Sequence, residues 1–248
     1  GDILNGILSG TYPAADYLIN GDLEIASGDI VYLSAGTKFL FDGQYHFNIY
    51  GTLKAIGTQS DSIIFDNFED NDERWEGFTL ENVSDETEFR YVRISGVEKD
   101  NGNIIKLSAS NPILAHVTIS GNTVGGTGIS LSFSNPTFNY VTISGNSSGG
   151  MFLGNSDPIL THVTISGNSG GSFSGGMFIQ NSNAILTHVT ISGNSYRGMF
   201  ISLSNPILTN VTISGNACEC IGGGMYINYA NPILTNVTIS GNTAGEDG

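Results

Sequence analysis

The chain has 248 residues, with 23 Asp and Glu against 8 Lys and Arg, and a formal net charge of −15. That balance excludes nucleic acid as a partner, because phosphate binding needs a basic surface. No apolar run approaches the length of a membrane span, so no membrane insertion is expected. Abundant Gly, Ser, Thr and Asn suit a secreted, turn-rich β protein, and a start at Gly1 without a visible signal peptide reads as a mature product or excised fragment.

The chain reads as a single domain, with residues 1–19 as a segment that shields its first turn. Residues 20–102 form irregular acidic turns. Apolar alternation recurs there at Leu23-Ile25, Val31-Leu33, Phe39-Phe41, Phe47-Ile49, Ile63-Phe65 and Phe78-Leu80, which is the period of strands. Thirteen carboxylates lie between Asp61 and Asp100. Asp66, Glu69, Asp70 and Asp72 gather before Trp75 as an oxygen-rich loop that could hold Ca²⁺, the one cofactor considered. A solvated acidic loop is the plainer reading, and a catalytic carboxylate pair, if there is one, must come from this stretch. Trp75 reads as a core or corner aromatic. Tyr91 to Gly96 is a degenerate copy of a string that follows.

That string dominates residues 103–248. VTISGN begins at Val117, Val141, Val163, Val189, Val211 and Val237, with spacings of 24, 22, 26, 22 and 26 residues. Periods of this size mark a solenoid whose turns share one core. In each repeat Val and Ile point inward, while the hydroxyls alternate outward. The outward set is Thr118 and Ser120, Thr142 and Ser144, Thr164 and Ser166, Thr190 and Ser192, Thr212 and Ser214, and Thr238 and Ser240. Gly-Asn ends the strand as a corner. The corner asparagines Asn122, Asn146, Asn168, Asn194, Asn216 and Asn242 are expected to stack and satisfy backbone groups. A second strand starts at Ile-Leu after an Asn-Pro or Asp-Pro corner, and a third is the GMF segment. Three short strands per turn give about nine or ten turns of an all-β parallel coil.

His116, His162 and His188 share a column with Tyr140, Asn210 and Asn236, and read as polar corner residues. Cys218 and Cys220 make no disulfide framework; a local disulfide and free thiols are both open. The chain stops six residues after Asn242 without a closing segment, so more sequence or a partner is expected at that end.

The pairing of Gly149-Gly150-Met151-Phe152 and its repeats with Ile119-Ser120-Gly121-Asn122 and its repeats resembles right-handed parallel β-helix proteins of the pectate-lyase-like superfamily. Within these it looks like the repeats of bacterial polymorphic outer-membrane-type surface adhesins. The resemblance implies a secreted or cell-surface protein. The leading expectation is a non-catalytic structural or adhesive module that associates end to end with itself, or binds other surface proteins or extracellular glycans. The alternative is a polysaccharide lyase or glycoside hydrolase on the same coil, and a lesser one is ice binding through the Thr-x-Ser face. The charge-poor array stands against an enzyme. No catalytic residue is assigned.

Overall fold

The computed structural model describes residues 2–68, 73–170 and 174–245. Among them there is no helix, and the short strands wind into a parallel β-solenoid of about nine turns. In the array each turn carries three strands, seen at Met177–Gln180, Ile185–Thr187 and Thr190–Ser192. Each pairs in parallel with its counterpart one turn on: Met177 with Met199, Leu186 with Leu208, Ile191 with Ile213. The coil thus has a Met face, a Leu face and a Thr face, each rising about 4.8 Å per turn.

Alternation decides what lies inside. Val117, Val141, Val163, Val189 and Val211 form one buried column, and Ile119, Ile143, Ile165, Ile191 and Ile213 another. The first half uses larger fillers. Phe39, Phe41, Phe47, Phe65, Phe78 and Phe89 are fully buried, and Trp75 stacks on Phe41 with centroids 4.4 Å apart.

Corner asparagines carry the backbone around the bend. Each side chain from Asn122 to Asn216 donates through Nδ2 to Oδ1 of the next asparagine, at 2.9–3.1 Å, ending on Asn242. The same Oδ1 accepts the previous asparagine's backbone N–H, and Nδ2 also reaches an isoleucine carbonyl of the preceding turn. Two further ladders flank the next corner. Buried Ser110, Ser134, Ser156, Ser182 and Ser204 bond in sequence from backbone N–H to Oγ. Exposed Asn111, Asn135, Asp157, Asn183, Asn205 and Asn231 form a ladder of the opposite sense, each Oδ1 accepting the backbone N–H of the next residue in the series.

The opening segment is itself wound into the coil. Ile3–Ile7 pairs in parallel with Asp16–Ile25, and Gly10–Tyr12 with Ile30–Leu33. The outward hydroxyls are in register, half-buried along the array and exposed only at Thr238 and Ser240.

Candidate active site

Beside the Met face, in the first half of the coil, loops rather than strands shape the surface. Trp75 anchors one of them: it is buried, packs edge-on against Phe78 at 5.1 Å, and donates from Nε1 to the Ser95 carbonyl at 2.8 Å. Its backbone bridges in parallel to Val97 of the next turn. Glu98–Lys99 then pairs with Thr123–Val124, so successive loops form a small ladder of their own. Gly77 makes the return to the sheet. Its φ is +82°, and a Cβ there would lie 2.4 Å from the Ile104 carbonyl oxygen, so no side chain fits.

This loop ladder brings Gln44, Arg74, Glu76, Glu98, Lys99, Asp100 and Asn101 around one cleft of about 400 Å³. Glu76 and Lys99 stand on adjacent loops, with Nζ 3.0 Å from Oε2. Beneath them His46 bonds through Nε2 to Thr79 Oγ1 at 2.7 Å, and its backbone N–H donates to Asp22 Oδ1 at 2.8 Å. Its Nδ1 is buried without a hydrogen-bond partner among the described residues. Burial, and after it the positive charge of Lys99, hold the His46 imidazole below its ordinary value; Glu76 and Asp22 oppose this only in part.

Thr79 belongs to the outward column of the Met face. In register it continues through Lys106, Ser130, Phe152, Phe178, Phe200 and Tyr226. The last four rings lie against one another at 4.7–5.2 Å. The Arg197 guanidinium sits 5.4 Å from the Phe200 ring centre and 5.0 Å from that of Tyr226. One face therefore carries an acid–base cleft at one end and an aromatic, cationic strip at the other.

More than half of the sequence, residues 103–246, matches the family model described as the right-handed β-helix region. The chain belongs to the right-handed β-helix family. Two solved structures are similar to it. A mutant of the periplasmic alginate epimerase AlgG matches at 12% identity with a TM-score of 0.37, over 94% of this chain and 79% of that one. Endopolygalacturonase I from Stereum purpureum, complexed with two galacturonate, matches at 14% identity with a TM-score of 0.40, over 96% and 99%. No curated protein sequence matches the chain significantly.

The leading expectation from sequence is corrected here. A non-catalytic structural or adhesive module is not upheld, and its alternative, a polysaccharide-acting enzyme, is taken up below. The expectation leaned on the charge-poor repeats, whereas the acids and bases converge on the irregular turns before them.

The other residues singled out from sequence fall as follows. Glu69, Asp70 and Asp72 of the Ca²⁺ candidate lie outside the described residues; Asp66 is the penultimate residue of the strand Ile63–Asn67, its Oδ1 accepting the Asn67 N–H at 2.8 Å. Among the described residues no three His, Cys, Asp or Glu side chains are grouped to hold a metal. Cys218 and Cys220 are disulfide-bonded. His116, His162 and His188 do share a corner column, and Tyr91 joins it at the head. Sequence reasoning missed His46, Arg74 and Lys99. None of them lies in a repeat, and only the winding of the coil places them together.

Proposed function

We propose that this chain acts as a polysaccharide-cleaving enzyme, with the cleft as its reaction centre. The reading rests on one observation above all: Glu76, Glu98 and Asp100 share a single cleft with Lys99 and Arg74. Hydrolysis of a glycosidic bond needs one carboxyl group to protonate the leaving oxygen and a second carboxylate to activate water or attack the sugar. Glu76, held by Lys99, supplies the second group; Glu98 and Asp100 are the proton donors within reach of the same space. Arg74, Lys99 and the outward Lys106 offset the chain's overall negative charge locally and favour a sugar chain that carries carboxylates. The protein works outside the cytoplasm, in the extracellular space or periplasm, where such chains occur. Its likeness to surface-adhesin repeats is, on this reading, a likeness of coil-building sequence rather than of task.

The test is incubation with a panel of uronate-containing and neutral polysaccharides, following both new reducing ends and the absorbance of unsaturated uronate. Reducing ends without the unsaturated chromophore support hydrolysis. The chromophore would replace hydrolysis with elimination in the cleft. An absence of new reducing ends across the panel overturns the proposal.

A further inference from the structure

The bend between the Leu face and the Thr face is made by one residue per turn in the left-handed conformation. Tyr91, His116, Tyr140, His162, His188, Asn210 and Asn236 occupy it, with φ between 49° and 55°. L-residues resist this conformation, and here stacking opposes the strain. The rings of Tyr91, His116, Tyr140, His162 and His188 lie parallel within 6°, with centroids 4.4–4.9 Å apart. Stacking covers the ring faces along the column, so the column shows solvent its polar edges, imidazole nitrogens and phenol hydroxyls, rather than a flat aromatic platform.

Next to the head of this column lies a groove of about 340 Å³, lined by Gln59, Ser62, Tyr91, Val92, Arg93, His116, Thr118 and Tyr140. In a protein with a net charge of −15, none of these eight side chains is a carboxylate. The nearby Asp61 is turned onto its own loop, where Oδ2 accepts from Ser60 Oγ at 2.6 Å. Arg93 is exposed and forms no ion pair among the described residues. It pairs in register with Thr118, and so heads the outward column of Thr118, Thr142, Thr164, Thr190 and Thr212. A guanidinium, an imidazole, two phenols, an amide and two hydroxyls thus converge on one pre-formed space. Two rows of hydrogen-bonding groups lead away from it along the coil.

We propose that this groove is a second carbohydrate-binding site, on a different face from the cleft, that takes the oxyanion-bearing unit of an acidic oligosaccharide. Arg93 engages the carboxylate or sulfate through its planar fork. Tyr91, His116 and Tyr140 bond the ring hydroxyls of that unit, and the threonine column bonds those of its neighbours. The site does not depend on chemistry in the cleft.

The four histidines make the two sites separately observable, because His116 stands in the groove and His46 beneath the cleft. The experiment follows the imidazole NMR signals of the full chain during titration with an oligogalacturonate, a sulfated galacto-oligosaccharide and a neutral galacto-oligosaccharide. The His116 signals move with one or both charged oligomers and not with the neutral one, and the charged oligomer that acts identifies carboxylate or sulfate as the group bound. Arg93→Gln weakens that response about tenfold, the scale of one charge-assisted hydrogen bond. His116 signals that stay fixed, that respond equally to the neutral oligomer, or that respond unchanged in R93Q overturn the proposal. Movement of His116 with a silent His46 counts against the cleft and leaves this site standing; the reverse counts against this site alone.

Discussion

Lys99 Nζ lies 3.0 Å from Glu76 Oε2, and the two residues come from successive turns of the coil. Both side chains are about one-third exposed (31% and 35%), so the pair contributes little to stability and much to where Glu76 points. Winding brings together here what the sequence keeps apart.

Lys99→Met removes that contact and one of the cations facing an acidic substrate. We expect an unchanged fold and a KM for uronate-containing chains raised about fivefold, the scale of one partly exposed ion pair. Steady-state kinetics on acidic and neutral substrates check this, since the neutral substrate is little affected.

Gly77→Ala forces a methyl group onto the Ile104 carbonyl, 2.4 Å away, in a backbone conformation that L-residues avoid. The loop that carries Arg74 and Glu76 must shift. Destabilisation of about 2 kcal/mol is expected, together with loss of most activity. Urea denaturation and a reducing-end assay read the two effects.

Asn168→Ala tests the scaffold. The side chain is fully buried, accepts from Asn146, and donates to Asn194 Oδ1 and the Ile143 carbonyl. Its loss strands several buried polar groups and is expected to cost about 3 kcal/mol. Asn205→Ala, on the exposed ladder where water replaces the lost acceptor, costs less than about 1 kcal/mol. Urea midpoints for the two variants, at unchanged slope, make the comparison.

His46 gives stability a pH dependence. Its folded pKa lies below the ordinary 6.5, so between the two values the unfolded chain holds a proton that the folded chain does not. The contribution is complete above about pH 6.5 and is lost as pH falls from there toward the folded value. His46→Gln flattens melting temperature against pH in that window. An imidazole NMR titration of the wild type places the midpoint below 6.5; a midpoint at or above it contradicts the account.

The array was legible because its residues repeat. When Val189, Thr190, Ile191 and Asn194 recur at the same offsets, only one register buries every valine and pairs every asparagine, and the structure has that register. The buried serine ladder is not legible in the sequence, because Ser110 and its counterparts precede a corner and look like ordinary turn residues. The cleft was harder still. The acidic stretch is the expected source of any carboxylate pair, yet nothing in it distinguishes Glu76, Glu98 and Asp100 from ten other acids. Their convergence depends on Trp75 anchoring one loop against Phe41 and Val97, contacts between residues distant in sequence. His46 carries no spacing signal at all, since it stands alone before a short strand.

The most direct measurement is the initial rate of polysaccharide cleavage for wild type, Glu76→Gln, Glu98→Gln and Asp100→Asn, side by side on the best substrate of the panel, with circular dichroism confirming the fold of each. The account predicts that Glu76→Gln and at least one of the other two lose about a hundredfold or more, the scale of a missing acid or base. Rates for all three variants within twofold of wild type would place the chemistry elsewhere and contradict it.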